Sequence, residues 1–155
     1  CFGSFKIGLD NFYTKLKGFS LARKKYLFPQ PRVNLGLSLN KIANSMIDIS
    51  DGLIQDSAHL AKNSSLSIVL DVEKIPLPFF INLKKDILLD AALYGGDDYE
   101  LLFSCKPIHK NLLKKISFEQ KIDLTNIGFF QKFNKKHVIF QKQFNSYGNK
   151  SYLHF

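Results

Sequence analysis

The chain has 155 residues and a mass of 17.8 kDa, a length typical of one domain. Hydrophobic residues make up 45% and charged residues 23% of it, which excludes a disordered chain and a coiled coil. No apolar run approaches the ~18 residues of a membrane span, and the two cysteines form no disulfide framework. Since there is no signal peptide either, we expect a cytoplasmic protein without a membrane partner.

The net charge of +9 raises the question of nucleic-acid binding. This charge is concentrated in the last third of the chain, where residues 106–155 hold ten lysines and two acidic residues. The lysines are scattered among Asn, Gln, Phe and Ile. A solvated lysine surface explains that pattern better than a binding patch does, and we expect no nucleic-acid partner.

The predicted elements begin with helices. Apolar residues at helical spacing predict a helix over 5–17 that ends at Gly18, and Ser20 caps a second helix through Leu27. Residues 28–32 are expected to be extended, because a residue before proline avoids the α region, and a further helix follows over 33–43. The later elements are a strand at 46–49, a helix to 62, a strand at 66–72, a helix at 86–94, a strand at 99–105, a helix at 107–116, and strands at 122–130 and 137–143 joined by a polar turn. This order predicts a single α/β or α+β domain, with one mixed β-sheet flanked by helices.

The first candidate site is Asp48-Ile49-Ser50-Asp51-Gly52, where a short strand meets a helix. A helix that begins at Ser50 or Asp51 presents unpaired N–H groups that attract phosphate. Two carboxylates three residues apart could hold Mg²⁺, which takes a few carboxylates together with phosphate oxygens and water. On composition alone, an ordinary N-cap followed by a glycine is the better explanation of Ser50, Asp51 and Gly52, but it explains Asp48 in an apolar strand least well.

The second candidate site is the segment 94–100, Tyr-Gly-Gly-Asp-Asp-Tyr-Glu. Paired glycines after a helix are typical of a helix C-terminus and turn. Three carboxylates within four positions are less ordinary, because each repels the others unless a cation or a hydrogen-bond donor lies between them. No zinc-ligand spacing, phosphate-binding glycine loop or nucleophile elbow accompanies these two segments.

Taken in order, several segments resemble the C-terminal half of the thiamine-monophosphate kinase family, which belongs to the aminoimidazole-ribonucleotide-synthetase-like superfamily. The segments are Pro29-Gln30-Pro31-Arg32, 45–53, 93–103, Ile127-Gly128, the closing 151–155, and Gly3 with Gly8-Leu9. The resemblance therefore spans nearly the whole chain. It implies the fold of the superfamily's C-terminal domain, and phosphoryl transfer from ATP to thiamine monophosphate with Mg²⁺, which gives thiamine diphosphate.

The resemblance also implies roles for individual residues. Asp48 and Asp51 match magnesium ligands, and Ser50 matches a nucleotide contact. Asp97 matches a substrate-contacting position that is commonly Glu in the family, and Tyr152 matches a substrate-contacting aromatic residue near the C-terminus.

The same resemblance bears on domain organisation. The chain starts at Cys1 and its one methionine is Met46, so we expect a fragment. Residues 1–155 would form the C-terminal domain of a two-domain kinase, a homodimer at full length, whose N-terminal ATP- and magnesium-binding domain is absent from this chain. We expect the isolated chain to be inactive. The alternatives are a non-catalytic binding or regulatory domain of the same fold, and a superfamily member that acts on another phosphorylated substrate.

Overall fold

A computed structural model describes residues 24, 27–78 and 83–141. The predicted helix over 5–17 and most of the short helix after Ser20 lie outside the described residues. Tyr152, the rest of the closing segment, and the early glycines that contribute to the resemblance also lie outside them. Everything below concerns the part of the chain that is described.

Four α-helices and five strands make up the described chain. The helices are α1 (Val33–Leu39), α2 (Leu53–Asn63), α3 (Lys85–Tyr94) and α4 (Lys110–Gln120), with short 3₁₀ turns at Val72–Lys74 and Pro107–His109. The strands are β1 (Ala43–Asp48), β2 (Leu66–Leu70), β3 (Leu101–Cys105), β4 (Gly128–Lys132) and β5 (Val138–Phe140). None of the described helices is long and apolar enough to cross a membrane.

The described strands form two sheets. In the first, β1 pairs with β3 in antiparallel register, with Asp48 opposite Leu101. In the second, β2 lies between β4, to which it is antiparallel, and β5, to which it is parallel. The α/β class is confirmed, but the hydrogen-bonded strands do not form the one continuous mixed sheet that we expected.

The connection from β4 to β5 shows why these two strands are not neighbours. They flank β2 instead of pairing with each other across the polar turn. The connection passes the start of β2, where the buried Ser67 hydroxyl donates to the Lys136 carbonyl at 2.6 Å and accepts from the Asn134 amide at 2.9 Å. The Ser67 hydroxyl therefore binds the connection at both Asn134 and Lys136. The residues of the turn alone did not predict this anchoring to β2.

The ends of several elements differ from the prediction, and the strand expected at 122–130 is found at Gly128–Lys132. Helix α1 ends at Leu39 and not at Ala43, because Ala43 already belongs to β1 and lies opposite Cys105. The final helix begins later and extends further than predicted, since Pro107–His109 is a 3₁₀ turn and α4 continues to Gln120. Boundaries of this kind depend on pairing partners far away in sequence.

The main core positions the candidate site. It contains Ile49, Leu53, Leu70 and Leu93, all fully buried, so that α2, α3 and β2 share one apolar interior. Fully burying each such side chain stabilises the fold by about 1.5–3 kcal/mol. Because α2 follows the first motif and α3 precedes the second, their packing against this core brings the two motifs together.

Candidate functional site

The two motif loops, 49–52 and 95–100, meet through their backbones. The Ile49 amide donates to the Glu100 carbonyl at 2.8 Å, and the Tyr99 amide donates to the Ile49 carbonyl at 3.0 Å. One step further, the Asp97 amide donates to the Ser50 carbonyl at 2.8 Å. These hydrogen bonds extend the β1–β3 pairing beyond both strands, so the loops form one continuous edge.

Two glycines allow this close approach. A Cβ atom on Gly96 would collide with the Ser50 carbonyl oxygen, which is backbone and cannot rotate away. Gly52 has a φ of 109°, and a Cβ there would lie 3.1 Å from the Tyr94 carbonyl carbon. A glycine therefore stands at each close approach, Gly96 against the first loop and Gly52 against the end of α3.

The residues at the start of α2 differ from the prediction. We expected Ser50 or Asp51 to cap the helix, but the N-cap is Gly52, without a side-chain hydrogen bond. The Ser50 and Asp51 amides instead donate to Oδ2 of Asp56, both at 3.0 Å. Asp56 is only 2% exposed, and burial raises the pKa of its carboxyl, against the lowering effect of these two hydrogen bonds. The two amides are thus occupied and cannot bind phosphate.

Three aspartates line the edge formed by the loops, and we call Asp48, Asp51 and Asp97 the aspartate rim. Asp48 ends β1 on its exposed face. Asp51 is half-buried, and its Oδ2 accepts from Nε2 of Gln55 at 3.2 Å. Asp97 is bonded by its amide to the Ser50 carbonyl, which places it beside the first motif.

Tyr99 contacts one member of the rim, Asp97. Its hydroxyl donates to Oδ1 of Asp97 at 3.1 Å. The negative charge of Asp97, that hydrogen bond, burial and the charge of Asp48 together raise the pKa of the Tyr99 hydroxyl. The Asp97 amide is bonded to the Ser50 carbonyl, two residues after Asp48, which brings both segments to the same edge.

The backbone around Tyr99 is strained. Asp97 has a φ of 60° and Tyr99 a φ of 50°, in the left-handed region. Each such residue costs on the order of 1–2 kcal/mol. The inter-loop hydrogen bonds and the packed core retain this conformation, and strained loops of this type are concentrated at functional sites.

An ion pair supports the second loop from outside the rim. Arg32, just before α1, binds Glu100 with two parallel hydrogen bonds, Nε to Oε2 at 2.8 Å and Nη2 to Oε1 at 2.9 Å. The hydrogen bond to Glu100 raises the pKa of Arg32. The pair fixes Glu100, the residue just before β3. It also connects the Pro-Gln-Pro-Arg segment to the second motif.

Four of the five site residues predicted from the sequence lie at this edge: Asp48, Ser50, Asp51 and Asp97. The fifth, Tyr152, is outside the described residues. Sequence reasoning missed Asp56, although a signal was present, since it interrupts the apolar stripe Leu53–Leu60 of α2. The pairing of Arg32 with Glu100 had no signal in a single sequence, because 68 positions separate them.

The donor set of the rim fits Mg²⁺ as a shared ion. Carboxylate oxygens of Asp48 and Asp51 are hard donors at an accessible edge, and Mg²⁺ completes its shell with water and phosphate oxygens. Among the described residues no group of three or more His, Cys, Asp or Glu side chains forms a self-contained metal cage. The rim therefore suits an ion that substrate phosphates or another part of the protein help to hold.

Comparison with known proteins agrees with the resemblance of the motifs. The chain is 39% identical over 132 residues to a thiamine-monophosphate kinase of Buchnera aphidicola from Schizaphis graminum, a match that covers 77% of this chain and 40% of that protein. The chain is a relative of the thiamine-monophosphate kinases. The kinase of Escherichia coli is 35% identical over 107 residues, covering 68% of this chain and 33% of that protein. No protein-family model matches the chain.

Solved thiamine-monophosphate kinases share the fold. The enzyme of Stenotrophomonas maltophilia superposes with a TM-score of 0.81 at 30% identity and covers 90% of this chain and 47% of its own. A structure described as AaThiL complexed with AMPPCP and TMP superposes with a TM-score of 0.68 at 26% identity, over 90% of this chain and 44% of that one. This chain thus spans less than half the length of the kinases that it matches.

Proposed function

We propose that the chain is the C-terminal part of a thiamine-monophosphate kinase, which uses ATP and Mg²⁺ to convert thiamine monophosphate to thiamine diphosphate. The observation that carries this proposal is the match to the Buchnera aphidicola kinase at 39% identity over 77% of the chain. The neighbour described with AMPPCP and TMP supports the two substrates. We further propose a homodimer in the cytoplasm, with an N-terminal domain that supplies most of the nucleotide contacts.

The mechanism that we propose for this chain's residues is one of positioning. Phosphoryl transfer between two anions requires alignment of the reacting oxygens and neutralisation of their charge. Mg²⁺, when bound, supplies that neutralising charge. Asp48 and Asp51 would hold it at the rim, Ser50 would contact the nucleotide, and Asp97 and Tyr152 would contact thiamine monophosphate.

The side chain of Asp97 has a specific consequence in this mechanism. Its Oδ1 already accepts a hydrogen bond from the Tyr99 hydroxyl, so the carboxylate is oriented before any substrate binds. Asp is one methylene shorter than the Glu that is common at this position in the family. Because the Tyr99 hydroxyl is bound to the Asp97 carboxylate, it would lie at the same edge of the substrate site.

A domain exchange tests the proposed function. The segment of the Escherichia coli kinase that matches this chain is replaced by the chain in a strain without its own kinase, and growth without added thiamine diphosphate is measured. We expect growth, and we expect none with Asp48→Asn and Asp51→Asn together. Equal growth with the double variant would contradict the assignment of the rim to catalysis. An exposed lysine change such as Lys115→Gln serves as the matched control.

A further inference from the structure

Asp56 is a buried carboxylate for which the proposed function has no role. It lies in the first turn of α2 and is 2% exposed. Burial of a carboxylate is costly, and an apolar residue at this position would continue the stripe between Leu53 and Leu60. A charged group in such a place requires a specific reason.

The hydrogen bonds of Asp56 supply that reason. One oxygen, Oδ2, accepts from the amides of both Ser50 and Asp51 at 3.0 Å. The Asp56 amide also donates to the Gly52 carbonyl at 3.0 Å. The Asp56 carboxylate therefore holds the middle of the turn from β1 into α2, at Ser50 and at Asp51, one of the two candidate cation ligands.

Other hydrogen bonds restrict what else the turn can do. The Ser50 carbonyl accepts from Asp97, and the Ile49 carbonyl accepts from Tyr99. With the amides of Ser50 and Asp51 directed inward to Asp56, no backbone donor at these two positions points toward the rim. A turn between a strand and a helix commonly binds anions through such amides, whereas here an internal carboxylate occupies them.

We propose that Asp56 is a positioning residue, which fixes the Ser50–Asp51 backbone. With that backbone fixed, Asp48 and Asp51 present their carboxylates to a divalent cation, and the amides of Ser50 and Asp51 are not available to an anion. This inference rests on the proposed function for the presence of the cation. The part played by Asp56 rests on its burial and on its two hydrogen bonds.

The test uses Mn²⁺ as the probe and the full chain labelled with ¹⁵N. Binding is followed by paramagnetic broadening of the Asp48 and Asp51 amide signals, and hydrogen exchange is measured at the Ser50 and Asp51 amides. Asp56→Ala removes the acceptor, while Asp56→Asn keeps an acceptor oxygen in the same place. Asp90→Asn, on α3 and outside both loops, controls for the loss of one carboxylate charge.

The inference predicts different results for the two Asp56 variants. Asp56→Ala should lose exchange protection at both amides and bind Mn²⁺ about 10- to 100-fold more weakly, as changes behind metal ligands typically do. Asp56→Asn should keep the protection and stay within about threefold of the unaltered chain, because a neutral acceptor retains both hydrogen bonds in weaker form. Asp90→Asn should match the unaltered chain.

Several outcomes would overturn the inference. Unchanged Mn²⁺ affinity in a folded Asp56→Ala variant would contradict it while leaving the proposed function intact. If Asp56→Ala does not fold, a tenfold loss of affinity in folded Asp56→Asn would overturn it, since the hydrogen bonds would then not be the cause. No Mn²⁺ broadening in the unaltered chain, either alone or with inorganic pyrophosphate added to supply phosphate oxygens, would remove the cation site, and the inference with it.

Discussion

Gly96→Ala provides a sharp test of the close approach between the two loops. The new Cβ would overlap the Ser50 carbonyl oxygen, so one loop must move. Overpacking of this kind costs about 1–3 kcal/mol. Displacing the loop also weakens the hydrogen bonds from Asp97 to Ser50 and from Tyr99 to Ile49, each worth about 0.5–1.5 kcal/mol. We expect Gly96→Ala to lower the free energy of unfolding by about 2–4 kcal/mol.

Gly36→Ala is the matched control, and we expect an effect of opposite sign. A Cβ on Gly36, within α1, would lie 3.7 Å from Cδ1 of Leu101 and 3.9 Å from Cε of Met46, which are ordinary contacts. Removing a glycine from a helix interior stabilises by about 0.5–1 kcal/mol. Urea unfolding of the two variants and the unaltered chain measures both effects. Gly96→Ala at or above the stability of the unaltered chain would refute the proposed packing of the loops.

Three further predictions concern individual side chains. A double-mutant cycle on Arg32→Ala and Glu100→Gln should give a coupling energy of about 1–2 kcal/mol. This is below the full range for charged hydrogen bonds, because the two side chains are 24% and 15% exposed. A coupling energy near zero would show that the ion pair does not stabilise the fold. Ser57→Ala should raise the free energy of unfolding by about 1 kcal/mol, since its buried hydroxyl has no partner among the described residues, and a loss of stability would contradict this. Asp97→Asn removes the charge that raises the pKa of Tyr99, so that pKa should fall toward its ordinary value in an NMR titration. An unchanged pKa would contradict the contact between the Tyr99 hydroxyl and the Asp97 carboxylate.

Local patterns were enough to predict most of the fold. Apolar spacing located α2 and α3, and the short strand before the first motif was found as β1. The positions of the two glycine-containing loops followed from these elements. What local patterns could not supply was pairing at a distance, so neither the division into two sheets nor the position of β2 between β4 and β5 was predicted.

The candidate site shows the same division between local and distant information. The order of the motifs was sufficient to single out Asp48, Ser50, Asp51 and Asp97. The role of Asp56 was missed because capping rules point to Ser50 and Asp51 themselves, whereas the acceptor is a buried carboxylate one turn into the helix. A carboxylate within an apolar helical stripe is the sequence signal of such an internal acceptor.

Phosphoryl transfer from ATP to thiamine monophosphate is the most direct measurement of the proposed function. Formation of thiamine diphosphate is followed with Mg²⁺ for the chain alone, and for the chain joined to the N-terminal part of the Buchnera aphidicola kinase. We expect no product from the chain alone, turnover by the joined protein, and a loss of at least about 100-fold with Asp48→Asn and Asp51→Asn together. Rapid turnover by the chain alone, or full turnover by the joined double variant, would contradict the account.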